Sequence, residues 1–253
     1  MPTISIITVT YNAEKTLRRT VESVLQQAAL KNIEYIIVDG ASADSTLKQV
    51  EDLKSKIPNF KCVSERDKGL YDAMNKGLKL ATGDYILFLN AGDVLYESAT
   101  VEKILVQASA EKELPDVIYG ETDIVDDKGQ FISHRRLKAP EKLTWKSFKM
   151  GMLVSHQAFI AKREIAPSYD LQYRYSADVD WCIRCLKSAK NILNTHLTLC
   201  SYLSEGVTTA NRKASLKERF SIMSNYYGYM PTLLRHMWFA VRFYTSKILG
   251  KQL

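Results

Sequence analysis

The chain has 253 residues, 46% apolar and 25% charged, which supports a large core and excludes a disordered or low-complexity protein. Its net charge of +7 is confined to one end: of 35 basic and 28 acidic residues, eight Lys/Arg and a single acid, Glu218, lie from Arg212 onward, leaving 1–211 neutral. A neutral main body without a recognised nucleic-acid module argues against a nucleic-acid partner, and four cysteines are too few for a disulfide framework.

The chain opens with Ile4-Ser5-Ile6-Ile7-Thr8-Val9, a β-branched run that reads as a buried strand. Asn12 is a candidate cap for the next helix, which carries Leu17, Val21, Val24 and Leu25 on one face. Residues 34–39 form a second strand, and the loop 39–46 leads to a helix near 46–56 with Asp44 or Ser45 as its cap. Residues 60–64 form a third strand. Helix 70–81 places Leu70, Met74, Leu78 and Ala81 on one side, and Thr82-Gly83-Asp84 turns into a fourth strand, 85–89. Alternating strands and helices imply a parallel, doubly wound sheet, whose ligands bind at the carboxyl ends of the strands. The polar clusters fall there: Thr10-Tyr11-Asn12, Asp39-Gly40, Glu65 to Gly69, and Asn90-Ala91-Gly92-Asp93.

Beyond residue 98 the sequence reads as a helix (99–110), a strand (117–120), a solvated hairpin holding Asp123, Asp126 and Asp127, a helix (178–188) and a strand (197–203). Cys182 and Cys185 form a CxxC inside the helical stretch with no second pair, so they read as buried thiols in a reducing cytosol. Met1-Pro2-Thr3 leads straight into a strand, and no apolar run is long enough to span a bilayer. A cytoplasmic protein without a signal peptide is expected. The expected division is a domain over 1–211, with halves 1–98 and 99–211, and a basic tail over 212–253.

No GxGxxG, P-loop or GxSxG motif is present. A half-sheet without a glycine loop needs another counter-charge for a diphosphate. A divalent cation on a strand-end carboxylate supplies one, with Asp93 as the ligand and Asn90 beside it. Asn90 also fits a plain turn cap.

Ser5 to Asn12, Val38 to Thr46, Gly69 to Gly77 and Phe88 to Asp93 together resemble a family 2 glycosyltransferase. The likeness covers residues 3 to about 95 and resumes over 155–186. It implies the GT-A fold: an α/β, doubly wound, mostly parallel sheet with a Rossmann-like nucleotide-binding half and an acceptor half. It implies inverting sugar transfer from a nucleotide-diphosphate sugar, UDP-linked above all, to a saccharide or lipid-linked saccharide. By that resemblance Thr10, Tyr11 and Asp39 contact the base, and Asp67, Lys68, Asp72, Asn75 and Asn90 line the nucleotide-sugar pocket. Asp93 holds Mn²⁺ or Mg²⁺. The family's strand-end motif is usually Asp-x-Asp, so one carboxylate is missing here.

Inverting transfer needs a general base on the acceptor hydroxyl. Ser176-Ala177-Asp178-Val179-Asp180-Trp181 resembles the family's acidic segment, with Asp178 as the base and Asp180 as its rival or a helix cap. His156, in Ser155-His156-Gln157, is either an acceptor-side group or a structural histidine. In the tail, Leu234, Trp238, Val241, Tyr244 and Ile248 share a helical face among Arg235, Arg242 and Lys247. Such a helix suits peripheral contact with the anionic inner face of the plasma membrane. Packing on the catalytic domain and a homodimer contact are the competing readings. The rival function is a GT-A-shaped scaffold that has lost catalysis, against which the acidic segment argues.

Overall fold

The computed structural model describes residues 1–52, 56–204 and 211–248. Strands β1 (Ile4–Thr10) and β2 (Ile33–Asp39) are buried at every position, as uninterrupted β-branched runs require when helices cover both faces. They run parallel, Ile4 beside Ile33 and Thr10 beside Asp39. Strand β3 (Phe60–Ser64) flanks β2 and β4 (Tyr85–Phe88) flanks β1, both parallel. The first half is therefore the expected doubly wound unit, covered by α1 (Leu17–Leu25), α2 (Thr46–Glu51) and α3 (Leu70–Leu80).

Local details differ from the sequence expectation for identifiable reasons. Asn12 does not cap α1: it sits at φ 49°, and its Oδ1 accepts the Ala43 N–H at 2.9 Å, tying the first strand end to the second. Asp44 does serve the next helix, Oδ1 accepting the Thr46 N–H at 3.0 Å. Helix α3 buries Tyr71, Ala73, Met74 and Gly77, a face rotated from the one through Leu70 and Leu78. Gly77 sets that rotation, because a Cβ there would come within 2.4 Å of Ile7 Cγ2.

The second half adds β5 (Val94–Leu95), α4 (Thr100–Ala110), β6 (Val117–Val125), β7 (Phe131–His134), β8 (Phe159–Lys162), α5 (Ala177–Ser188) and β9 (Ile192–Leu203). The sheet order is β3-β2-β1-β4-β8-β6-β9-β5, with β7 paired to β6. Strand β8 runs antiparallel to both neighbours, which joins the parallel half to a mixed one. β6 and β9 are longer than expected because they pair with each other from Val117/Ile192 to Val125/Leu203. Asp123 is not solvated: it is buried and lies 2.8 Å from His134 Nδ1 across the β6–β7 hairpin. Cys182 and Cys185 are free and buried, and burial raises both thiol pKa values.

The basic segment forms α6 (Arg212–Tyr227) and α7 (Tyr229–Ile248). Ser215, Glu218, Ile222 and Tyr226 follow helical spacing. Glu218 accepts backbone N–H groups before α5, and Tyr226 donates to Asp180 at 2.7 Å. The expected division at 211/212 therefore does not coincide with a packing boundary. Helix α7 folds back on α6, with His236 edge-on to Phe220 at 5.2 Å. Its outer face leaves Met230, Leu234, Met237, Trp238 and Val241 exposed, while Tyr244 and Ile248 of the expected stripe fall among side chains outside the described set. Among the described residues no helix is long and apolar enough to cross a membrane.

Away from the strand carboxyl ends, buried Glu34 meets Lys61 Nζ at 2.5 Å and accepts the Thr82 N–H at 2.8 Å. Burial alone would raise its pKa. Hydrogen bonds from Lys61, Ser5 and Thr82 outweigh that and hold it at about 2. A depressed folded pKa stabilises the fold above the unfolded value near 4.5 and loses that contribution as pH falls toward 2. Glu34→Gln should lower the melting temperature at pH 7, with the gap from wild type narrowing from pH 4.5 to 2. Thermal unfolding across that range checks it.

Candidate active site

The corner at the end of β4 is built by a turn. Leu89 N–H still bonds Ile7 O at 3.0 Å, and Asp93 N–H then bonds Asn90 O at 3.0 Å across Gly92, whose φ of 105° glycine tolerates best. The turn sends Asp93 inward, where it is 5% exposed. Its Oδ2 accepts Gln157 Nε2 at 3.0 Å and its Oδ1 accepts the Leu203 N–H at 3.2 Å. Burial raises its pKa to about 6, against the pull of those bonds and of Arg19.

Asn90 reaches His156. Its Nδ2 lies 3.4 Å from His156 Nε2, and its Oδ1 is buried without a hydrogen-bond partner. His156 Nδ1 lies 3.8 Å from Asp178 Oδ2, and Asp178 Oδ1 accepts the Tyr71 hydroxyl at 3.3 Å. With Asn90 donating to Nε2, the ring proton belongs on Nδ1, facing Asp178. Burial lowers the His156 pKa, partly opposed by the Asp178 charge and reinforced by Arg135, so the ring is neutral at pH 7. Three expected residues, Asn90, His156 and Asp178, are thus brought together, and Tyr71 joins them.

The two carboxylates of α5 separate by geometry. Two residues on a helix are about 200° apart, so they face opposite sides. Asp180 is held by Arg184 Nε at 2.7 Å on one oxygen and by the Tyr226 hydroxyl at 2.7 Å on the other. Asp178 makes only the longer contacts above and keeps 15% side-chain exposure. Asp180 is therefore engaged in an ion pair with Arg184 and a hydrogen bond with Tyr226.

The nucleotide half is partly self-satisfied. Asp39 is 0% exposed and accepts from Thr10 Oγ1 (3.0 Å), Ser42 Oγ (2.5 Å), Ser42 N–H (2.9 Å) and Ser64 Oγ (2.7 Å). Burial would raise its pKa, and the bonds from Ser42, Ser64 and Thr10 keep it lowered. Thr10 is buried against Asp39, whereas Tyr11 is 69% exposed beside it and offers an open ring. Asp67 packs on Gly40, where a Cβ would meet its Oδ2 at 2.5 Å, and it also caps the Gly69 N–H at 2.8 Å. Lys68 is exposed, and its N–H is capped by Asp72 Oδ2 at 2.9 Å. The Asn75 amide pairs with the Tyr169 backbone at 3.0 and 2.6 Å.

For a divalent cation the protein donors are few. Among the described residues no group of three His, Cys, Asp or Glu converges. The orphaned Asn90 Oδ1 and the spare lone pairs of Asp93 suit an ion that arrives with a diphosphate, and not one held by protein alone. Two cavities lie elsewhere, at the amino ends of strands: about 580 Å³ beside Glu111 and Asn191, and about 390 Å³ beside Glu34 and Lys61.

Residues 5–167 match the family described as Glycosyl transferase family 2. The chain belongs to that family. This family 2 glycosyltransferase is 33% identical over 207 residues to a PGL/p-HBAD biosynthesis glycosyltransferase of Mycobacterium tuberculosis, covering 79% of this chain and 77% of the relative. It is 25% identical over 229 residues to the Escherichia coli UDP-Glc:alpha-D-GlcNAc-diphosphoundecaprenol beta-1,3-glucosyltransferase WfgD, covering 88% and 86%. Its fold superposes on S. aureus TarS with TM-score 0.72 at 19% identity, covering 94% of this chain and 72% of that one. TarS in complex with UDP-GlcNAc gives 0.69 at 20% identity, covering 87% and 64%. The transferase has the GT-A fold.

Sequence reasoning missed Tyr71, Gln157 and Tyr169. The first two lie inside motif segments and were legible by position, whereas Tyr169 carries no signal. The geometry predicts divergent stabilities for the α5 carboxylates. Asp180→Ala strands Arg184 and Tyr226 and should cost about 1–3 kcal/mol. Asp178→Asn, which keeps the side-chain shape and an acceptor for Tyr71, should cost less than Asp180→Ala. Denaturant unfolding measures both.

Proposed function

We propose that the enzyme transfers a hexosyl or N-acetylhexosaminyl group, with inversion, from a UDP-sugar to a hydroxyl of a saccharide or lipid-linked saccharide in cell-surface polysaccharide biosynthesis. The observation that carries this reading is the Asn90, His156 and Asp178 sequence of contacts, which sets beside the strand-end corner a carboxylate met only by longer contacts. The UDP-GlcNAc complex of TarS and the UDP-Glc and diphosphoundecaprenol in WfgD's name support the donor and acceptor classes.

In this mechanism Tyr11 stacks on the base, and Asp39 orders the loop beneath it. Asp178 accepts the proton of the acceptor hydroxyl as that oxygen attacks the anomeric carbon. The bond from that carbon to the diphosphate oxygen breaks on the opposite face, and its electron pair leaves with the nucleoside diphosphate. His156 and Tyr71 hold Asp178 in line, as orientation demands. Asp93 and Asn90 would help hold a Mn²⁺ or Mg²⁺ ion arriving with the diphosphate, and such an ion would supply positive charge for the leaving group.

Asp178→Asn should lower turnover at least about 100-fold while UDP affinity stays unchanged. Product formation and UDP titration calorimetry test this, and unchanged turnover would contradict the base assignment. Mn²⁺ alone should give no binding heat at micromolar concentrations, whereas Mn²⁺ with UDP should.

A lipid-linked acceptor places the enzyme at the inner face of the membrane, and α7 suits that surface. Its exposed stripe of Met230, Leu234, Met237, Trp238 and Val241 lies in a segment with no acid beyond Glu218. Leu234→Glu with Trp238→Glu should reduce sedimentation with anionic vesicles several-fold. Unchanged sedimentation, or loss of a concentration-dependent dimer instead, would assign the stripe to a second copy.

A further inference from the structure

We propose that Glu218, on α6, is a positioning residue for sugar transfer: it sets where the first turn of α5 stands and so where Asp178 points. The inference rests on the Asp178 reading above. Glu218 is the one acid among the 42 residues from Arg212 to the carboxyl terminus. Its carboxylate accepts three successive backbone N–H groups, of Arg174 at 2.9 Å, Tyr175 at 2.7 Å and Ser176 at 3.0 Å. Three amides converging on one carboxylate fix both its oxygens and the path of the chain.

The first turn of α5 has no side-chain cap of its own: Ser176, at the N-cap, makes no such bond. Its hydroxyl turns instead to α6, lying 2.9 Å from Ser215 Oγ and donating to Ser215 O at 3.2 Å. The start of α5 is thus held from α6 by residues 215 and 218, one helical turn apart. Asp178 follows Ser176 by two residues. On the far side of the same turn, Tyr226 of α6 holds Asp180 at 2.7 Å. Helix α6 grips the approach to α5 and its back face, leaving Asp178 as the one carboxylate turned toward His156.

The nucleotide-binding elements are not part of this grip. Thr10, Tyr11 and Asp39 belong to β1, β2 and their connecting loops, which bond to one another. Loss of the grip should therefore appear in turnover and not in nucleotide affinity. A displacement of about 1 Å at a reacting group costs up to about 100-fold in rate.

The test uses the full chain, with turnover read as UDP release from UDP-glucose or UDP-GlcNAc and affinity read with UDP alone. Glu218→Ala should lower kcat about 10- to 100-fold with UDP affinity within about twofold of wild type. Glu218→Asp keeps both acceptor oxygens one methylene back and should recover part of that loss. Ser215→Ala, which removes one hydroxyl contact and retains the fold if Glu218→Ala does not, should lower kcat about two- to fivefold. Wild-type kcat in these variants overturns the proposal. A parallel fall of kcat, UDP affinity and melting temperature also overturns it, because that marks a general structural role. Asp178→Asn measured beside them separates the claims. UDP release abolished there but intact in Glu218→Ala removes the positioning role alone, while UDP release intact in both removes the base assignment as well.

Discussion

The site depends on one contact between the two halves of the sheet, made by Tyr169. Its ring is stacked on Tyr71 from the nucleotide half, with centroids 5.2 Å apart, and on Trp181 from α5 at 5.3 Å. Its backbone is stapled to the Asn75 amide by two hydrogen bonds. Phe88, on the strand that ends at the corner, packs edge-on against both Tyr169 and Trp181 at 5.3 and 5.6 Å. Such contacts each contribute about 0.5–1.5 kcal/mol beyond burial, so the cluster is both strong and geometrically selective. It packs the end of β4 against the body of α5, the frame in which Asn90, His156 and Asp178 meet.

Around that joint the structure divides its polar groups by role. Asp39, Asp180 and Asn75 have their side-chain oxygens or amides committed to the protein and shape loops or helices. Tyr11, Asn90 Oδ1 and Asp178 keep open surface or unmet bonding capacity. A buried acceptor without a donor is costly, so the orphaned Asn90 oxygen at a strand carboxyl end points to a ligand that completes it. Asp93 lies between the groups. It is buried, its pKa raised to about 6, and its two N–H contacts leave capacity for an ion that the diphosphate mostly holds.

Much of this was legible in the sequence because it rests on local chemistry. Fully apolar strands, the polar residues at their ends and the acidic pair on α5 are all patterns of neighbours in the chain. What was not legible depends on partners far apart. Asp178 and Asp180 look alike until Tyr226, 46 positions on, is seen to take one of them. Nothing local to Asn75 shows that Tyr169, 94 positions on, pairs with its amide. Glu218 looked like a lone acid in a basic tail until three amides from the approach to α5 met it. The lengths of β6 and β9 were underestimated for the same reason, since each extends along the other.

The most direct test of the central claim is a crystal structure of the enzyme with an intact UDP-sugar and Mn²⁺. The base should lie against Tyr11 and the diphosphate at the Asn90 to Asp93 turn. The anomeric carbon should be nearer to Asp178 than to any other carboxylate. Nucleotide density in the cavity beside Glu111 and Asn191, or an anomeric carbon facing Asp180, would contradict that claim.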